Sequence, residues 1–167
     1  MRLKIAHLYP DLLNLYGDSG NILCLSKRCE WRRIDCEVKP LTAGNDFTFD
    51  DFDIVFIGGG QDREQSLVLK DLSVKKRDSL HNAVQSGTVV LAICGGYQLL
   101  GKSYETSSGE CLEFTGILDL YTVSGSKRLI GNYEFKTAEK LRIIGFENHS
   151  GRTHLGSGVV PLGKIIK

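Results

Sequence analysis

Net charge is what this sequence has least of: 21 Lys and Arg stand against 20 Asp and Glu, leaving +1 at pH 7. No strong field therefore favours nucleic acid or an anionic membrane surface, and small, neutral or partner-presented substrates stay open. Long hydrophobic runs are missing too. No apolar stretch approaches the ~20 residues that cross a bilayer. The start, MRLKIAHLYPDLL, interrupts its apolar run with His7, Pro10 and Asp11 and is not a signal-peptide core. A cytoplasmic chain is expected. Paired cysteines are also lacking: Cys24, Cys29, Cys36, Cys94 and Cys111 are odd in number and show no CxxC spacing. That excludes the usual marks of a disulfide frame or a zinc site and predicts reduced thiols and no metal. Internal repeats, low-complexity segments and linkers are absent, and so is any GxxxxGK[ST] phosphate loop, so no ATP chemistry is expected on this chain.

What is present is an ordinary globular composition, 41% hydrophobic and 25% charged over 167 residues, enough for a single domain over residues 1–167 with its own core. Strand and helix signals alternate through the first hundred residues. Leu3, Ile5 and Leu8 predict a strand over Arg2 to Tyr9, and Asp18, Ser19 and Asn21 offer caps to a helix with Ile22, Leu25 and Cys29 on one face. A short second strand is expected over Glu37 to Leu41. Asp53 to Ile57 reads as a strand buried on both faces. One helical stretch capped by Asp62, with Leu69, Leu72, Leu80, Ala83 and Val84 as its apolar face, is expected to run to near Gly87. Thr88 to Ile93 reads as a second buried strand, followed at once by Cys94, Gly95, Gly96 and a helix through Leu99 and Leu100. This rhythm predicts an α/β fold with an open, mostly parallel twisted sheet and helices on both faces. From Gly116 onward, residues 116–123, 132–135 and 141–146 predict added short strands joined by glycine turns.

Ligands of open α/β sheets bind beyond the carboxyl ends of the strands, where two turns stand here: Gly58–Gly59–Gly60 and Cys94–Gly95–Gly96. A nucleophile on a sharp strand-to-helix turn is held exposed and needs small neighbours. Cys94 alone among the five cysteines meets that description, and a helix starting at Gly95 would favour its thiolate. The amide N–H groups of Gly95 and Gly59 could both point at a carbonyl attacked by Cys94, as an oxyanion hole does. The same spacing also fits a buried core cysteine with two glycine clusters that only turn the chain, and the residues alone leave both readings open.

The run AICGGYQLLG, Ala92 to Gly101, resembles the nucleophile motif of class I glutamine amidotransferases of the cobyric-acid-synthase-like branch, whose fold is flavodoxin-like. LYPDLLNLYGDSGN (8–21), FIGGGQDREQ (56–65), KRLIGNYE (127–134) and GFENHSGRTHLG (145–156) resemble, within it, the amidotransferase subunits of lipid II isoglutaminyl synthases. The resemblance runs to about Gly163. It implies Cys94 as the nucleophile toward glutamine, Gly59 and Gly95 as oxyanion donors, Gln98 lining the pocket, and Arg128 holding the substrate α-carboxylate with its guanidinium fork. Glu147, Asn148 and His149 would border the site without acting directly. It further implies a heterodimer with a MurT-like ligase, which would supply the ATP and Mg chemistry and amidate D-glutamate in lipid II during peptidoglycan synthesis.

The chemistry also needs a base to take the thiol proton and pass it to ammonia. In the family this is a histidine in a YLHGP-like segment, which the sequence does not contain before its end at Lys167. His7, His81, His149 and His154 all stand in other contexts. The expectation is a C-terminally truncated amidotransferase whose glutamine hydrolysis is lowered by about 100 to 10,000-fold, with binding and labelling at Cys94 retained. Two alternatives stay beside it: a catalytically impaired remnant, and a cobyrinate-type amidotransferase, which shares the CGGYQ turn. A cysteine hydrolase of related architecture is a third, which gives no reason for the Arg128 motif.

Overall fold

A computed structural model describes residues 2–15, 17–72 and 74–167, and the chain divides into two compact units, Met1–Leu100 and Gly101–Lys167. In the first, strands β1 (Arg2–Leu8), β2 (Asp35–Leu41), β3 (Ile54–Ile57) and β4 (Val89–Ala92) form a four-stranded sheet in the order β2-β1-β3-β4, with every pair parallel. This is the strand order of a flavodoxin-like doubly wound sheet, with its switch point between β1 and β3. Helix α1 (Ser19–Trp31) joins β1 to β2, and α2 (Asp62–Asp71) and α3 (Val74–Gln85) join β3 to β4. Helix α4 (Gly95–Leu99) follows β4.

The central strands carry the core. Ile5, Ala6 and Leu8 of β1 and Val55, Phe56 and Ile57 of β3 are buried, as a near-continuous apolar run requires when both faces are covered. β4 departs from expectation. Its composition predicts burial on both faces, yet Val89 is 60% and Leu91 37% exposed, because β4 is the edge strand and among the described residues pairs only with β3. Pro40 lies in the opposite edge strand, where its lost N–H is tolerated.

The predicted single helix over 62–87 is two helices. α2 ends as Leu72 leaves α geometry at φ −72, ψ 64. The Asp71 carboxylate then collects the Tyr9 hydroxyl at 2.8 Å, the Gly44 N–H at 2.8 Å and Lys76 Nζ at 2.7 Å. Burial pushes this carboxyl up, but the bonds from Lys76, Gly44 and Tyr9 outweigh it and hold it below the usual range. The joint is thus fixed by an ion pair from the first turn of α3 to the last of α2. α2 starts at Asp62 with Gln61 in the N-cap position, whose N–H donates to Glu64 at 3.1 Å.

The second unit is a five-stranded sheet of β5 (Ser103–Glu105), β6 (Cys111–Glu113), β7 (Leu120–Thr137), β8 (Arg142–Leu155) and β9 (Gly163–Ile165), in the order β6-β5-β7-β8 with β9 also on β7. The strands expected here to be short are long. β7 and β8 form an antiparallel hairpin of 18 and 14 residues, and Gly131 pairs with Glu147 within the ladder and Gly145 with Tyr133 rather than turning the chain. Backbone pairing along the whole hairpin overrides the weak strand propensity of glycine. Among the described residues no helix is long and apolar enough to cross a membrane.

Candidate active site

The two glycine turns of the first unit meet. Cys94 sits between the end of β4 and the start of α4 at φ 49, ψ −111, a conformation that costs a non-glycine residue about 1–3 kcal/mol. The surroundings hold it there: Ile93 N–H donates to Ile57 O at 2.9 Å, Gly96 N–H to Ile93 O at 2.9 Å, and Gln98 N–H to Cys94 O at 3.1 Å. The result is an exposed thiol on a sharp turn, so the alternative of a buried core cysteine is overturned.

Close approach explains the glycines. A side-chain carbon on Gly96 would lie 2.5 Å from Gly58 O and 2.6 Å from Ile57 Cγ2, and one on Gly95 would lie 2.6 Å from Gly60 O and 2.5 Å from Gln65 Nε2. At Gly59 the same carbon would be 3.4 Å from Cys94 Cβ. Gly59, in the turn after β3, and Gly95, the first residue of α4, therefore flank the thiol-bearing residue from two sides. Among the described residues no backbone carbonyl takes the N–H of either. Such a pair of amides beside a thiol can hold a developing oxyanion.

Gln98 is brought to the same place, with its Oε1 accepting from Gln65 Nε2 at 3.2 Å. Gln65 is a site residue that sequence reasoning passed over. It is 2% exposed, also donates to Gly60 O at 3.2 Å, and so ties one glycine turn to α4. The signal was available: Gln65 shares the i, i+3, i+7 face of α2 with buried Val68 and Leu72, and a polar residue on a buried stripe needs partners. Asp18 was read as a cap. It occupies the N-cap position of α1 but makes no capping bond, having helical φ and ψ. Instead it is 3% exposed, with Oδ2 3.7 Å from where a Gly59 side-chain carbon would stand. Burial pushes the nearby His7 imidazole down, against the pull of Asp18, and His7 packs edge-on against Phe56 as a core residue. His81 is exposed on α3.

Arg128 belongs to the second unit. The register of β7 on β8 shifts between Ser124 and Leu129, and a bulge of this kind re-aims the side chains it carries. Arg128 stands on it, with Nε donating to Asn148 Oδ1 and Nη2 to Asn148 O at 3.2 Å. Asn148 thus orients the guanidinium. His149 is held by Gly151 O at 2.9 Å and Glu147 Oε2 at 3.1 Å, and His154 stacks on Tyr121. Among the described residues no three His, Cys, Asp or Glu side chains gather as a metal-binding group.

A parallel sheet flanked by helices, with a strained, exposed cysteine turn between its last strand and a helix, defines a domain of the doubly wound α/β class. Residues 4–167 match the CobB/CobQ-like glutamine amidotransferase domain, and the chain belongs to that family. It is 47% identical over 158 residues to subunit GatD of the glutamine-hydrolysing lipid II isoglutaminyl synthase of Staphylococcus aureus, an alignment spanning 95% of this chain and 65% of that one. The GatD subunit of Streptococcus pneumoniae is 43% identical over 167 residues, spanning 99% and 64%. A cobyric acid synthase of Clostridium botulinum is 29% identical over 137 residues, spanning 68% and 26%. The chain thus covers a little under two thirds of the length of the two GatD relatives. The structure of PurLQS from Thermotoga maritima superposes with a TM-score of 0.65 at 15% identity, over 100% of this chain and 76% of that one, which is a likeness of fold.

Proposed function

We propose that this chain is the glutamine-hydrolysing component of a two-component amide ligase. Cys94 attacks the side-chain amide carbon of glutamine, and the N–H groups of Gly59 and Gly95 take the charge on the carbonyl oxygen. The thiol proton passes to the amide nitrogen, ammonia leaves as the C–N bond breaks, and water then releases glutamate from the thioester and restores the thiol. Gln98 lines the pocket and Arg128 holds the α-carboxylate. The observation that carries this reading is the positive-φ turn at Cys94 with Gly59 against it, since a strained, exposed nucleophile beside two backbone donors is built for acyl transfer.

The ammonia goes, on this reading, to a MurT-like ligase in the cytoplasm that uses ATP and Mg to amidate D-glutamate in lipid II; the support is likeness to subunits of lipid II isoglutaminyl synthases. Identity to these relatives over nearly the whole chain favours that acceptor above a cobyrinate. The test is ammonia release from glutamine by the chain together with its ligase, alongside labelling by a glutamine-derived diazoketone. The expected result is one label, on Cys94, and loss of ammonia release in Cys94→Ser. Labelling at another cysteine, or undiminished release by Cys94→Ser, would sink the proposal.

A further inference from the structure

Away from the Cys94 turn, at the opposite edge of the parallel sheet, two more cysteines are brought together. Cys29 lies in the last turn of α1 and is 9% exposed. Its carbonyl accepts the N–H of Arg32 at 3.0 Å and of Ile34 at 2.9 Å, so the chain reverses tightly through Arg33 at φ 56 and enters β2 at Asp35. Alternation along β2 turns Cys36 and Val38 to the half-buried face while Asp35 and Glu37 face solvent. That brings the Cys36 thiol within side-chain hydrogen-bonding reach of the Cys29 thiol, with the Ser26 hydroxyl beside them. Ser26 is itself fixed by a bond to Ile22 O at 2.9 Å.

We propose that Cys29 and Cys36 form a dithiol modification site that organic hydroperoxides oxidise to a disulfide. Cys36, the more accessible of the two, attacks the peroxide as thiolate. The O–O bond breaks, the alkoxide leaves as alcohol, and Cys36 becomes a sulfenic acid. Cys29 sulfur then attacks Cys36 sulfur and forms the S–S bond. Hydroxide departs and takes the Cys29 proton as water. Two thiols lose two electrons in all, and one hydroperoxide is reduced to alcohol and water. Two thiols seven positions apart across a tight reversal, each in side-chain reach of the other, meet the proximity that a disulfide requires. Burial, and then the neighbouring Cys29, raise the Cys36 thiol, so its thiolate is scarce at neutral pH and the oxidation is slow. The bond staples the end of α1 to β2, the outermost strand.

The experiment treats the reduced full chain with tert-butyl hydroperoxide, alkylates the remaining thiols and maps tryptic peptides, with cleavage available at Arg32 and Arg33. The expected result is a Cys29 peptide joined to a Cys36 peptide with loss of two hydrogens, reversed by dithiothreitol and formed equally in Cys94→Ser. In Cys36→Ser, Cys29 stays open to alkylation. If Cys29 and Cys36 are both alkylated at peroxide doses that oxidise Cys94, or if Cys36 pairs with Cys24 or ends as a sulfinic acid, the proposal fails. The wild-type map decides this alone, whatever the variant's stability.

Discussion

The two units use glycine in different ways. In Met1–Leu100, Gly58, Gly60, Gly95 and Gly96 stand where an added carbon would collide with backbone or fixed side chains, and Gly59 leaves room for Cys94. In Gly101–Lys167, Gly145 has open space around it and Gly131 only an ordinary contact with Tyr133, although Gly125 at the bulge, Gly156 against Asp119 and Gly163 are tight. Exposure follows the same division. The first unit buries the apolar run of its central strands, whereas the β7–β8 hairpin leaves Ile130, Ile144 and Phe146 64%, 81% and 66% exposed. The first unit is thus built around one crowded turn, and crowding there is what holds a cysteine in a conformation it would not otherwise adopt.

The largest effect that would break this contrast is on chemistry. Cys94→Ser should abolish whatever glutamine hydrolysis the chain supports with the proposed ligase partner, read as ammonia release, together with diazoketone labelling, while the circular dichroism spectrum is unchanged. Next comes crowding: Gly96→Ala should cost about 3 kcal/mol in urea unfolding, since neither Gly58 O nor Ile57 can retreat from a packed strand end. Asp71→Asn should cost about 2–3 kcal/mol by leaving Lys76 and Tyr9 without their acceptor. Because the folded carboxyl is held below its ordinary value, that contribution is complete above the ordinary carboxylate range. It is lost as pH falls through the lowered folded value, so wild type and variant should converge in acid.

In the second unit, Arg128→Ala should raise the KM for glutamine about 10 to 100-fold, as the loss of a charged hydrogen-bonding group does. Its melting temperature should match wild type, since among the described residues the side chain bonds only to Asn148, at the surface. An unchanged KM would separate this unit from substrate binding. The smallest effect sharpens the comparison: Gly145→Ala should change stability by less than about 1 kcal/mol, and toward stabilisation, since glycine in a strand interior is entropically costly. A loss as large as that of Gly96→Ala would erase the distinction between the units.

Much of the first unit was legible because its signals are local. Val55, Phe56 and Ile57 announce a central strand, and Cys94–Gly95–Gly96 after an apolar run announces a turn with an exposed cysteine. The break at Leu72 was not legible, since it depends on Tyr9 and Gly44 reaching Asp71 from distant parts of the chain. β4 misled for a related reason: Val89 and Leu91 are apolar, but burial is a property of neighbours, and β4 has a strand on one side only. The hairpin length was hidden because glycines at 125, 131 and 145 read as turns until cross-strand pairing is known.

The sequence by itself determined the order of strands and helices, the cysteine that stands on a turn, and the family, because periodicity and short motifs are properties of adjacent residues. Only the tertiary structure decided that Gly59 lies against Cys94, that Gln65 joins Gly60 to Gln98, that Asp18 is buried by the glycine turn instead of capping α1, and that Cys29 meets Cys36. Each of these joins residues far apart in the chain or across a reversal, and their proximity exists only once the parallel sheet brings its strand ends together.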